Sequence, residues 1–489
     1  MVNDSRIVII GAGASGIAAG RKLLEYGFKN LIILEAENRI GGRINSTKFG
    51  ESIIDLGAQW CHGEENNVVY DMVKHLNLLE TSKCTYLNNQ FYNSTSNLVN
   101  VEITDMLHGI ASRITCDFDS MKNTKESFGD YFIRSYIKEA KQEFGTNRVN
   151  LEIANQFVHW FHKMILCYDA PASWFDMSAA GLVQYEDCNG DPLLNWKDKG
   201  YRSFLDILMG KYAKELEEKT ILNKEVRQII WNSDEISINC SNDSTFKADH
   251  VIVTLSAGIL KEQHLKLFVP QLPFYKALAI DGQGFGTVNK ILIKFPHKWW
   301  KDEDTSFCFL WTEDDKMNIL NQFPQGPKKN GKSWLEDISG FFVIDSDSTT
   351  LLCWMVGEFA REVEMLDDKI IESGCMFLLE KFLGKFYEIP SASNFICSRW
   401  FSNNHFRGSY SFKSVDNQER LTTSSKLIEP LVGANNKPLI QFAGEATHPK
   451  YFSSVHGAVE TGFREASRIL NYYKNGEVQS SKPMLNSKY

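Results

Sequence analysis

Arg6-Ile-Val-Ile-Ile10-Gly11-Ala-Gly13-Ala-Ser-Gly16-Ile-Ala-Ala-Gly-Arg-Lys-Leu-Leu-Glu-Tyr26-Gly27, followed by Leu31-Ile-Ile-Leu34-Glu35, decides the fold. Arg6 to Ile10 reads as a strand, Ile17 to Tyr26 as a helix with Gly27 at its C′ position, and Leu31 to Leu34 as a second strand. Two strands joined this way must run parallel, as in a doubly wound α/β sheet. Gly11 permits the tight turn out of the strand. Gly13, with Ala14 and Ser15, lets backbone N–H groups approach a pyrophosphate, and Gly16 lets the helix pack on the sheet. The helix N-terminus adds partial positive charge for the phosphates. Glu35 lies nineteen residues after Gly16, at the tip of the second strand, where a carboxylate accepts hydrogen bonds from ribose hydroxyls. The strand-turn-helix-strand context carries this reading, which leaves NAD and FAD open.

The segments beyond favour FAD. Arg39-Ile-Gly41-Gly42-Arg43 sets two guanidiniums beside a permissive glycine pair, and arginine is the preferred partner of phosphate oxygens. Asp55-Leu-Gly57-Ala58-Gln59-Trp60 puts small residues where a flat ring can lie against backbone. Near the other end, Ala443-Gly444-Glu445-Ala-Thr447 follows a strand, and a helix opens near Ser454. A helix N-terminus aimed at the pyrimidine edge of a flavin would stabilise the negative charge of its reduced form.

Apolar periodicity predicts further helices at 124–144, 151–166, 202–218, 366–383 and 455–472. Strands are expected at 224–231, 235–240, 251–255, 290–295, 340–345, 350–356 and 439–442. Residues 312–338 are rich in Asp, Asn, Lys, Gly and Pro and read as a surface excursion. The tail from Asn475 is polar and is expected to be disordered.

The 489 residues carry a net charge of −8 with no long basic run, which gives no support to nucleic-acid binding and suits capture of a cation. The ten cysteines form no CxxC pair and no zinc-ligand spacing, so free thiols and no metal are expected. No signal peptide is read at the N-terminus and no stretch reaches ~18 apolar residues, so a cytoplasmic protein without a membrane span is expected. The final Ser487-Lys488-Tyr489 differs by one residue from a peroxisomal address.

Taken together, the glycine turn with Glu35, the Arg39–Arg43 run, Gly57-Ala-Gln-Trp60, Lys290 and Gly444-Glu445 resemble the flavin amine oxidase family in order and spacing, from residue 6 to about 470. Trp60-Cys-His62-Gly63 and Glu445-Ala-Thr-His448-Pro-Lys-Tyr451-Phe-Ser-Ser-Val-His456-Gly-Ala458 resemble its animal polyamine oxidase branch, the spermine and N1-acetylpolyamine oxidases. Cys61 stands where that branch more often has Ile, and Ser-Ser-Val precedes His456 where Ser-Thr-Thr is more usual.

The resemblance implies an α/β fold, with a Rossmann-like FAD-binding domain (1–85, 195–275, 400–475) interleaved with a mixed-sheet and helical substrate domain (86–194, 276–399) and a polar tail at 476–489. It implies FAD held by Gly11, Gly13, Ala14, Ser15, Gly16, Glu35, Arg43, Gly57, Ala58, Gln59, Trp60, Val226, Trp400, Gly444, Glu445, Ser454 and Val455. The attachment is non-covalent, because 448–458 lacks the cysteine that monoamine oxidases use. Lys290 is implied as the catalytic lysine that assists reaction with O₂. His62 is implied as the residue that handles a substrate proton. Substrate contacts fall to His62, Tyr410, Glu186 and Ser454. The implied reaction takes a hydride from the carbon beside a secondary amine of a polyamine and uses O₂ to give an aldehyde, a shorter amine and H₂O₂. Two alternatives stand beside it. An amino-acid oxidase would need an arginine clamp for a carboxylate, and a silent FAD-binding scaffold would not turn over.

Overall fold

The computed structural model describes residues 4–84, 89–93, 97–233, 235–419 and 424–480. It is a mixed α/β structure built on two six-stranded sheets. The first has Ile7–Ile10 at its centre, parallel to His250–Val253 on one side and Leu31–Leu34 on the other. Pro438–Phe442 extends it beyond His250–Val253, and Thr220–Ile221 beyond Leu31–Leu34. All four residues of Ile7–Ile10 are buried, as a strand covered on both faces requires. The helix Ala14–Glu25 begins directly at the glycine turn, three residues earlier than the apolar pattern alone predicts, because Gly13 is its N-cap. Gly27 ends it at φ +88°. Against this helix packs the last one, Val455–Ser480, and a Cβ at Gly462 would meet the Ser15 carbonyl oxygen at 2.2 Å. Glycine therefore sets how closely the two helices cross.

The second sheet runs in the order Asn394–Cys397, Asn289–Lys294, Asp347–Met355, Ile338–Ile344, Ser306–Leu310, Phe91–Asn93. Its pairs are antiparallel except the last. Helices Val101–Thr115, Phe128–Phe144 and Arg148–Asp169 join the core on one face of this sheet. The last of these is tied down by Trp160 Nε1 donating to the Ser339 carbonyl at 2.9 Å and by Lys163 Nζ donating to the Ile338 carbonyl at 2.9 Å.

Three expectations need correction. The helix predicted over 202–218 is two, Ser203–Met209 and Ala213–Lys219, because Gly210 turns the chain at φ +53°. The stretch 312–338 is not a plain surface loop. It holds the helix Glu313–Gln322 and a turn in which Trp334 and Leu335 are fully buried. Ser333 and Glu336 close a capping box around that turn, so polar residues there hold backbone together. The last helix also continues through Ser480, past the expected start of the tail, and residues 481–489 lie outside the described residues. Among the described residues no helix is long and apolar enough to cross a membrane.

Candidate active site

One cavity of about 330 Å³ begins at the first sheet's glycine turn and ends against the second sheet. Gly11, Gly13, Ala14, Ser15 and Glu35 line its first end, with Val226 and Lys224 beside them. A Cβ built on Gly13 would find nothing nearer than 4.0 Å, so the backbone there faces open space that a ligand can fill. Gly16 does not line the cavity. A Cβ on it would lie 1.9 Å from the Gly11 carbonyl oxygen, so the missing side chain lets the helix sit against the turn. Glu35 is buried and receives the N–H groups of Ala12 (2.6 Å) and Glu37 (2.8 Å). Burial pushes its pKa up, so further hydroxyl donors would be welcome there.

The middle of the cavity carries Arg43, Gly57, Ala58, Gln59, Gly444, Glu445, Ser454 and Val455. Arg43 Nη1 donates to Glu445 at 2.9 Å and to the Ser409 carbonyl at 2.6 Å. Glu445 also takes the Ser411 hydroxyl (2.6 Å) and the Ser453 N–H (2.9 Å). Its carboxylate is thus an internal strut of the cavity wall. Arg39 stays out of the lining and holds the Gly42 carbonyl at 2.9 Å, bracing the glycine pair.

The far end is aromatic. Trp60, Trp354, Trp400 and Tyr410 form its walls with Val288 and Met164. Lys290 sits on an internal strand, paired across the sheet with Trp354, and is 4 % exposed. Its Nζ lies 5.3 Å from the Trp354 ring centre and 5.7 Å from that of Trp60. Three acceptors take its protons: the carbonyls of Asp55 and Gly57 at 2.8 Å and Gln59 Oε1 at 2.7 Å. Burial lowers its pKa to about 7, against the raising effect of Asp55. Burial likewise raises Asp55 to about 6, although the Ser46 hydroxyl and the Tyr201 N–H favour its charged form.

His62 lines the cavity and stays accessible through it. Its Nδ1 is 2.8 Å from the Pro192 carbonyl, which fixes the proton on Nδ1 and leaves Nε2 as an acceptor. The surrounding protein lowers its pKa. Tyr410 OH donates to the Cys167 carbonyl, and Ser454 Oγ donates to the Tyr451 carbonyl at 2.7 Å.

Glu186 is not brought to the cavity. It is exposed and paired with Lys450 at 2.7 Å, because its loop is drawn toward the segment after His448. Sequence reading missed the C-terminal turn of Arg148–Asp169, which brings Met164, Cys167 and Tyr168 to the wall. Ala170 ends that helix at φ +62° just before Pro171. The Ala-Pro pair was the available signal. Asp169, the residue after Tyr168, has its pKa raised to about 7 by burial.

A family model described as flavin containing amine oxidoreductase matches residues 14–470. The chain belongs to the flavin-containing amine oxidoreductases. A human peroxisomal N(1)-acetyl-spermine/spermidine oxidase is 28 % identical, over 98 % of this chain and 97 % of its own length. A probable polyamine oxidase 5 of Arabidopsis thaliana is also 28 % identical, over 97 % of this chain and 99 % of its own. A putrescine oxidase redesigned in its cofactor binding shares the fold, with a TM-score of 0.69 at 16 % identity, covering 96 % of this chain and 99 % of that one.

As a flavin-containing amine oxidoreductase, the protein is an enzyme that takes FAD and an amine. The dinucleotide cradle at Gly11–Gly13 with Glu35 and the aromatic end beyond Gly57 fit the two halves of that cofactor. The amine oxidoreductase's own contribution is to bind, orient and exclude water, since the flavin carries the redox chemistry.

Proposed function

We propose that this enzyme oxidises a secondary amine of a polyamine, spermine or an N1-acetylated spermine or spermidine, with O₂, giving an aldehyde, a shorter amine and H₂O₂. The observation that carries the reading is the far end of the cavity, where aromatic side chains surround Lys290 and His62 and the half-buried carboxyl of Asp169, just outside the lining, lies close enough to act on Tyr410. FAD, which the cavity would hold without a covalent bond, would supply the two-electron redox chemistry between the amine and O₂.

Trp60 and Tyr410 hold the methylene chain and favour a cation over their faces. His62 Nε2, kept unprotonated, accepts a proton from the reacting nitrogen, which must be neutral to release the hydride. Asp169 pairs with a second ammonium on the substrate and is drawn back to its charged form by it. Lys290 supplies positive charge and a proton on the side where O₂ is reduced. The polyamine reading is also supported by the full-length likeness to proteins named as polyamine oxidases. Amino acids fit less well. Among the described residues, Arg43 is the arginine in the cavity wall, and Glu445 already occupies it. The division into a three-part FAD domain and a two-part substrate domain, and a cytoplasmic or peroxisomal location, belong to the same proposal.

Anaerobic mixing of the yellow protein with spermine, N1-acetylspermine, spermidine and a monoamine tests this. Rapid bleaching by spermine or its acetyl form is expected. No bleaching by any polyamine would overturn the proposal.

A further inference from the structure

A second chamber of about 20 Å³ lies behind the Lys290 end of the cavity. Its volume exceeds the ~10–15 Å³ that one water needs. Trp196 and Asn195 are buried in its wall, and Asp55, Gln59, Lys197, Asp345 and Ser346 border it half-buried. Trp196 is 2 % exposed, and its Nε1 has no hydrogen-bond partner among the described residues. Asp345 gathers the Ser82 hydroxyl (2.6 Å), the Lys83 N–H (2.8 Å) and Asn195 Nδ2 (3.1 Å), which makes a polar gate. Gln59 borders both chambers, and its Oε1 takes a proton from Lys290 Nζ. A single side chain therefore separates the lysine from a water-sized space that has Ile53, Ile54, Leu292 and Ile344 on its apolar side and the half-buried Lys197, Asp345 and Ser346 at its rim.

We propose that this chamber is a hydrated rear port carrying protons between solvent and Lys290, with Asp55 as its inner exchanging group. The need for protons rests on the amine-oxidase reading. O₂ takes two electrons and two protons to become H₂O₂. The hydride equivalent from the amine supplies both electrons and one proton. The other comes from the Lys290 ammonium by cleavage of an Nζ–H bond. Lys290 regains it from the port water, which draws on Asp55 and then on solvent. Hydrolysis of the iminium product returns one proton to the bulk, so the turnover balances. The substrate channel can stay closed meanwhile. The two groups suit the exchange, since Lys290 lies at about 7 and Asp55 at about 6. The other charged groups at the port are Lys197 and Asp345 at the rim.

Dithionite-reduced holoenzyme mixed with O₂ across the neutral pH range reads the port without any amine. Ser346→Phe, which blocks the rim, should slow reoxidation on the order of tenfold, less than the full loss of an acid–base group, and raise the solvent deuterium isotope effect. Asp55→Asn removes the neighbouring negative charge and should move the pH transition of reoxidation down by about one unit. Reoxidation with wild-type rate, transition and isotope effect in both variants would overturn the proposal. Should Asp55→Asn fail to fold, a high-resolution structure of the wild-type holoenzyme decides. Ordered water on Trp196 Nε1 supports the port, and a dry chamber refutes it. Failure of every amine to bleach the flavin, with these port effects intact, would sink the substrate reading alone.

Discussion

Replacing Lys290 by Met should change the pH dependence of stability in a calculable way. Burial takes this group from 10.5 to about 7, roughly 5 kcal/mol of bias against its charged form at about 1.4 kcal/mol per unit. The lysine is 4 % exposed, so solvent screening removes little of this. Between the two values the folded chain has released a proton that the unfolded chain still holds. Unfolding takes a proton up, so stability rises with pH across that window, and below about 7 the whole penalty is present. Met carries no charge and loses the slope. From pH ~7 to ~9 the wild type should gain about 2 kcal/mol on Lys290→Met, because the slope is only half developed at the midpoint. The three acceptors left unpaired at Asp55, Gly57 and Gln59 lower the variant's stability at every pH and do not alter this difference. Urea unfolding of the FAD-loaded proteins at several pH values, followed by tryptophan fluorescence, measures it. Parallel stability curves would refute the claim that the ammonium is held at a cost. The same variant should still be reduced by substrate and should be reoxidised more slowly.

Gly16→Ala should abolish flavin binding, read as loss of yellow colour in folded protein, because its Cβ would lie 1.9 Å from the Gly11 carbonyl. Asp169→Asn should raise KM for polyamines about tenfold, as lost pairing to one ammonium implies, and leave a monoamine's KM unchanged. In the wild type the polyamine KM should fall as pH rises through about 7, where Asp169 ionises. His62→Ala should weaken polyamine binding and shift the acid limb of the kcat/KM profile, and an unaltered profile would argue against a proton role for His62.

The dinucleotide end was legible because its geometry needs particular residues. Gly11 takes φ +103°, Gly41 takes φ +104°, and Gly16 has no room for a methyl group. Lys290 was harder to place. A lysine opening a run of apolar residues reads as well at an exposed edge, and only the pairing of Asn289–Lys294 with Asp347–Met355 puts Trp354 beside it. The wall made by Met164, Cys167 and Tyr168 was hidden for a similar reason, since it depends on where a helix ends against a distant sheet. Trp334 was lost inside a polar stretch, although Ser333-Trp-Leu-Glu336 spells its capping box. Glu186 was placed by loose spacing, and nothing local opposed its turn toward Lys450.

The cavity draws its walls from Gly11, Gly57, Lys290, Trp400, Gly444 and Ala458, residues spread over nearly the full chain. A nascent chain on the ribosome has no complete flavin pocket until the segment around Ala458 has emerged. At ~5–20 residues per second the stretch from Gly11 to Ala458 alone takes about 20–90 s of synthesis. A chain abandoned earlier holds an incomplete pocket and releases no peroxide, so the order of translation itself keeps this oxidase silent until it is whole.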